Sequence, residues 1–277
     1  MKPSSDIRHS PSPGPERTGA APPWLRRLAA ALGLTLALAG SQTAMAATAP
    51  ALRNIVLVHG AFADGSSWLP VIARLQVMGY HVTAVQNPLT SLADDVSATE
   101  KVLRRQAGGV LLVGHSWGGG VITQAGNAAN VKALVYLSAL APDSGESVAD
   151  LLQRLGAPMG GFMPDADGLI WLDDPGRFHQ VMAADLPMEK ARALASIQQP
   201  IAAAGFADRI QNAAWRGKPS WYLRTTQDRA LPPAVQQAIA QRIGAKTVSI
   251  ASSHMSLLSH PDRVARLIDQ AAREAGR

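Results

Sequence analysis

Val110-Leu111-Leu112-Val113-Gly114-His115-Ser116-Trp117-Gly118-Gly119 is the stretch that decides how this chain is read. Four aliphatic residues lead into a serine set among glycines, and Gly120-Val121-Ile122 come next. A short, wholly apolar run marks a strand buried on both faces. A G-x-S-x-G sequence between such a strand and a helix is the pattern of a nucleophile elbow, with the serine at the apex of a sharp turn. The glycines have a physical purpose there. The serine backbone is strained, and larger side chains beside it would collide with the strand and helix that meet at the turn.

Reading outward from this stretch, strand and helix signals alternate. Residues 54–58 form another apolar run, ending at His59-Gly60. Ser66 or Ser67 can cap a helix through residue 78, with Trp68, Val71, Ile72 and Leu75 on one face and Gly79 as its stop. Residues 80–85 read as a strand, and residues 91–106 as an amphipathic helix. Leu92, Val96, Val102 and Leu103 are its apolar side, and Asp94, Asp95, Glu100 and Lys101 are expected in solvent. A helix over 118–129 precedes a strand over 132–137. From 143 to 218 the alternation stops, leaving Pro/Gly-rich pieces and helical stretches over 147–155 and 188–196. It resumes with a strand over 220–225, a helix over 233–242, a strand over 247–250 and a helix over 261–272. The alternation predicts an α/β fold: a mostly parallel sheet of about six strands, helices on both faces, and a small helical cap insertion over 143–218.

The first 46 residues read as a leader rather than as fold. Residues 1–27 are basic and rich in Pro and Ser, residues 28–38 are apolar, and a small-residue segment ends at Ala44-Met45-Ala46. That is the pattern of an export signal, with cleavage expected after Ala46 and a periplasmic or secreted product of residues 47–277. The apolar run is short for a membrane span, so no stable insertion is expected after cleavage. Arg26-Arg27 fits a twin-arginine signal poorly, which favours general export. The leader holds Lys2, Arg8, Arg17, Arg26 and Arg27 against Asp6 and Glu16, half of the formal charge of +6. The remaining charge is spread out and gives no case for nucleic acid as a partner. There is no cysteine, so disulfides and thiolate chemistry are excluded. The histidines lack any metal-binding spacing, so no metal is expected.

In a parallel sheet, function gathers beyond the carboxyl ends of the strands. The residues found there are His59-Gly60, Ser116, Asp228 and His254. A serine hydroxyl needs a base, and the base needs an orienting acid. His254, in the loop after the last strand, is the candidate base, and Asp228, after the strand over 220–225, the candidate acid. Asp143 competes for the acid's role. His115 adjoins the serine but is expected to be structural, and His260 is expected at the surface or as a cap. The order Ser116, Asp228, His254 is the one expected of a serine triad on such a sheet. The backbone N–H of Trp117 offers one oxyanion donor. The second should come from the loop after His59-Gly60, with Ala61 preferred and Phe62 as the alternative.

With its His59-Gly60 loop, Gly114–Gly118 elbow, Asp228 and His254, the chain resembles the α/β-hydrolase superfamily over residues 53–275. More narrowly, it resembles bacterial carboxylesterases related to plant methyl-ester esterases and hydroxynitrile lyases. The resemblance implies a cofactor-free enzyme and a small cap before the strand that carries the acid. In a departure from the superfamily, the expected mature chain starts almost at its first strand, so a sheet without the superfamily's first two strands is expected. The lyases carry a lysine after the catalytic histidine and a threonine after the strand-end histidine. Met255 and Gly60 stand at those positions, as in the esterases.

The expected activity is therefore hydrolysis of small to medium apolar carboxylic esters through an acyl-enzyme. Phe62, Trp117, Met159, Phe162, Trp171, Phe178, Met182 and Leu257 are the expected pocket lining. Two alternatives stand beside it: a hydroxynitrile-lyase-like or other non-hydrolytic enzyme, and a catalytically inactive ligand-binding module.

Overall fold

The computed structural model describes residues 52–157 and 160–276. The expected leader and Met159 lie outside the described residues. Among the described residues, no helix is long and apolar enough to cross a membrane.

The body is assembled in the expected alternation. Strand β1 (Asn54–Val58) is followed by a 3-10 turn (Gly65–Trp68), α1 (Leu69–Val77), β2 (His81–Ala84), α2 (Leu92–Arg104), β3 (Val110–His115), α3 (Gly118–Ala125) and β4 (Val131–Leu137). Next come α4 (Val148–Arg154), β5 (Leu169–Ile170), α5 (Pro175–Met182), α6 (Met188–Ile197), β6 (Ile201–Ala202) and two further 3-10 turns, Ala203–Ala207 and Ala214–Arg216. The chain then returns to the body with β7 (Ser220–Thr225), α7 (Pro233–Arg242), β8 (Lys246–Ile250), α8 (Ser256–Ser259) and α9 (Pro261–Ala275).

Six strands form one sheet in the order β2-β1-β3-β4-β7-β8, and every neighbouring pair is parallel. Strands β1 and β3 are buried at every residue, which is why their sequences do not alternate. Helix α1 packs with α9, and α2 packs with α3. The strand order reverses beside β1 and β3, so the loops after those two strands flank a crevice at their carboxyl ends.

Most boundaries move by only a residue or two from expectation, and the differences have local causes. Ser66 and Ser67 do not cap α1. Asp64 accepts a hydrogen bond from the Ser66 N–H and starts the 3-10 turn, and α1 begins after Trp68 with no side-chain cap. Helix α3 stops at Ala125 rather than 129: Gly126 N still bonds the Ile122 carbonyl at 2.9 Å, but Asn127 N and Ala128 N then bond the carbonyls only three residues back, on Gln124 and Ala125, at 3.3 and 3.2 Å. Asp95 is not in solvent; it is fully buried. Ser91 caps α2, accepting from the Asp94 N–H.

The segment between β4 and β7 is built differently. Its two strands are two residues each and pair with one another, apart from the main sheet. Ser147 and Asp150 form a reciprocal capping box at the start of α4. Helix α5 has no clear periodic signal in the sequence. It is opened by Asp174, which accepts from the Arg177 N–H, and by Pro175 in its first turn.

Candidate active site

Ser116 occupies the turn between β3 and α3 with φ of 53°. This left-handed conformation costs a non-glycine residue roughly 1–2 kcal/mol. The turn is held on both sides. The Ser116 N–H donates to the Leu137 carbonyl at 3.2 Å, and the Ser116 carbonyl accepts from Gly119 N at 2.9 Å and Leu140 N at 3.1 Å. The glycines are dictated by contact. A Cβ on Gly114 would lie 2.5 Å from the Gly118 carbonyl oxygen, and one on Gly118 would lie 2.5 Å from that of Val58. Strand, turn and helix therefore approach more closely than any side chain allows, and the serine is presented at the end of β3.

His254 sits in the loop after β8. Its Nδ1–H donates to Asp228 Oδ2 at 2.7 Å, with both side chains buried. Its Nε2 is buried with no hydrogen-bond partner, and His254 and Ser116 line the same cavity. Asp228 follows β7 and is surrounded by donors. Ala230 N and Leu231 N donate to Oδ1, while the Thr225 hydroxyl and Gln236 Nε2 donate to Oδ2. Burial pushes the Asp228 carboxyl up, but His254 and these donors outweigh it and hold the group below the ordinary carboxylate range. A carboxylate so placed fixes the imidazole with Nε2 free to accept a proton.

The competing carboxylate, Asp143, is engaged elsewhere. Arg216 and Arg242 reach its Oδ2 at 2.6 and 2.7 Å in a partly exposed ion-pair cluster. The other histidines have distinct places. His115 Nε2–H donates to the His254 carbonyl at 3.0 Å, holding the main chain of that loop. Burial lowers the His115 pKa to about 3, so its ring is neutral. His59 is also buried, which lowers its pKa. Its Nδ1–H donates to the Gly60 carbonyl at 2.9 Å, and its Nε2 accepts from Asn87 N at 2.9 Å. That pair of bonds fixes the loop carrying Ala61 and Phe62. His260 is the N-cap residue of α9, with Nε2 3.7 Å from Asp185 Oδ2.

The cavity over Ser116 is about 340 Å³, within the usual size for a small-molecule site. Ala61, Phe62, Trp117, Phe162 and Met182 line it, as do Leu140, Leu152, Phe206 and Leu231. Three expected lining residues stand elsewhere. Phe178 points into the core and is 1% exposed, and Leu257 is fully buried on α8. Trp171 is 43% exposed, its indole N–H donating to Asp165 at 2.8 Å. Neither residue type nor spacing distinguishes the cavity face of such short elements from the core face. Trp117, Ala61 and Phe62, which carry the expected oxyanion donors, all border the cavity. Phe62 has φ of 58°, which turns this loop sharply.

Sequence reading missed several supporting residues. Gln236 sits on α7, eight residues after the acid it contacts. Asp185, before α6, accepts from Ser252 Oγ and Ser253 N at 2.9 and 3.0 Å and ties down the loop that carries His254. Asp95 accepts from the Trp117 indole N–H at 2.7 Å. None of the three left a clear signal in the sequence: Asp95 reads there as one of the solvent-facing acids of its helix. Among the described residues, no cluster of potential metal ligands is present.

The family model for the alpha/beta hydrolase family matches residues 55–267. The chain is 31% identical over 247 residues to the alpha/beta hydrolase nvfD of Aspergillus novofumigatus, covering 80% of this chain and 97% of that protein. It is 31% identical over 117 residues to the carbendazim hydrolyzing esterase of a Nocardioides species, covering 37% of this chain and 48% of that protein. The solved pyrethroid hydrolase of Sphingobium faniae has the same fold, with a TM-score of 0.70 and 22% identity, covering 80% of this chain and 97% of that one. The match across most of the sheet, elbow included, joins a topology and a sequence pattern that point the same way: this chain belongs to the alpha/beta hydrolase family.

Proposed function

We propose that this protein is a serine carboxylic-ester hydrolase for small to medium apolar esters, with Ser116, His254 and Asp228 as its triad. The observation that carries this reading is the meeting of Ser116 and the unpartnered Nε2 of His254 on one cavity, with Asp228 bonded behind the imidazole.

In the proposed reaction, Ser116 Oγ attacks the ester carbonyl and His254 Nε2 takes its proton. The carbonyl oxygen becomes an oxyanion facing the N–H of Trp117 and that of Ala61, with Phe62 the alternative donor. Each such donor contributes about 3–4 kcal/mol to lowering the barrier. His254 then protonates the leaving alcohol, and the acyl group remains on Ser116. Water, deprotonated by His254, attacks the acyl-enzyme and releases the acid. Asp228 stabilises the imidazolium in both halves of the reaction.

The size of the cavity and its largely apolar lining, Arg229 aside, support substrates with aromatic or medium alkyl groups. The esterase named among the relatives supports ester chemistry over other reactions of this fold. The proposal includes export, with residues 1–46 removed. Mass spectrometry of the secreted product should find Ala47 at its start, and an intact Met1 would refute that part.

A chain-length series of nitrophenyl esters tests the activity. Wild-type protein should turn over the shorter members and Ser116→Ala should not. Cyanide release from a mandelonitrile-type substrate without ester turnover would overturn the hydrolase reading, and so would ligand binding with no turnover at all.

A further inference from the structure

Asp95 is a carboxylate on the buried face of α2, although the helix pattern groups it with the solvent-facing acids. It lies on the inner face of α2 with Leu92, Thr99 and Leu103, and is fully buried. A buried charge with no cation beside it is costly, and sequences keep such local conflicts where something else is gained. Two donors face this one. The Trp117 indole N–H donates to Oδ2 at 2.7 Å, and the Leu89 N–H donates to Oδ1 at 2.8 Å. Burial raises the Asp95 pKa to about 6, against the opposing pull of those two bonds and with a small upward push from Asp94.

Both donors belong to parts that matter to the cavity. Trp117 follows the elbow serine, and its ring lies 4.9 Å from that of Phe206, which also lines the cavity. Leu89 has φ of 59°, and its carbonyl accepts from Ala202 N at 2.9 Å, on the segment between β4 and β7. A single carboxylate thus fixes the orientation of a wall residue and the loop that meets the inserted segment.

We propose that Asp95 is a positioning residue for substrate selection: by holding the Trp117 indole against Phe206, it sets the inner wall of the cavity and so the acyl size that fits above Ser116. This rests on the serine-esterase reading. A tryptophan ring has two broad χ2 orientations open to it. With the indole N–H committed to Asp95, one is selected, and the peptide N–H of the same residue is steadied towards the oxyanion position. The carboxylate touches neither substrate nor reacting atoms.

The test compares wild type, Asp95→Asn, Trp117→Phe and the double variant. Each preparation is normalised by titrating Ser116 with a fluorophosphonate, so that only folded, reactive sites are counted. The ratio of kcat/KM for a butyrate to that for an acetate nitrophenyl ester should shift at least fivefold in both single variants. The double variant should shift no further than either, because the two act through one bond. Trp117→Phe keeps an aromatic ring and serves if Asp95→Asn fails to fold. A lower Tm with an unchanged ratio in Trp117→Phe, or additive shifts in the double variant, would overturn the proposal. Failure of wild type to label at Ser116 would instead remove the esterase reading, and this inference with it.

Discussion

The sheet body and the segment between β4 and β7 are made by different physics, and they carry different parts of the proposed function. In the body, strands of five to seven residues such as β1, β3 and β4 are buried along nearly their whole length. The carboxyl ends of β3, β7 and β8 bring Ser116, Asp228 and His254 to one edge. In the inserted segment, two-residue strands and short helices are held by local caps, by ion pairs such as Arg154–Glu146 and by bonds to body loops. In the proposed reaction the body supplies the reacting groups, and the insertion supplies Phe162, Met182 and Phe206 to the cavity wall. Changes in the first should remove chemistry, whereas changes in the second should redirect it.

The largest expected effect comes from the body. Asp228→Asn should lower kcat by about 10³- to 10⁴-fold, since the amide leaves His254 in the wrong tautomer. Asp143→Asn, which loosens the insertion's pairing with its own Arg216 and with Arg242 of the body, should leave kcat within about twofold. Steady-state kinetics on both variants decides this, and the reverse ranking would break the division of labour. Phe162→Ala should be intermediate. It opens the cavity wall without touching the triad, so kcat on a short ester should hold while KM rises about five- to tenfold, the lower end of the roughly 1–3 kcal/mol that apolar pocket contacts contribute. An equal loss in kcat would mean that the insertion takes part in the chemistry.

The smallest effect is a pH dependence of stability. The Asp95 pKa is raised in the folded protein to about 6, above its ordinary value when unfolded, so the folded state holds the proton more tightly. Its contribution to stability is therefore present at acidic pH and is lost as pH rises towards about 6. The Tm of wild type minus that of Asp95→Asn should fall between pH 4 and 6 and level off above. A difference that grows with pH would contradict the environment described for this carboxylate.

The same contrast explains which features are legible in the sequence. The central strands β1 and β3 announce themselves because burial on both faces leaves little room for polar residues, and a glycine-flanked serine after such a strand is a strong local constraint. Asp228 and His254 stand just beyond strand ends, where the parallel sheet directs the search. Asp95 escapes the same reading because its neighbours Asp94 and Glu100 are solvent-facing, and a helical wheel does not reveal that an indole N–H waits for one carboxylate and not for the other. Phe178, Leu257 and Trp171 are misplaced for a related reason. In two-residue strands and helices of four to eight residues no periodicity is long enough to define a face. The insertion's shape comes from contacts far apart in sequence, such as Gln199 Nε2 on the Pro88 carbonyl at 2.7 Å and Met255 N on the Met182 carbonyl at 3.1 Å.

The central claim is that Ser116 is a nucleophile activated by His254. Incubating the protein with a fluorophosphonate and locating the adduct by peptide mass spectrometry tests it directly. A single adduct on Ser116 is expected in wild type, none in Ser116→Ala, and labelling slowed by orders of magnitude in His254→Ala. Equal labelling of wild type and Ser116→Ala would contradict it.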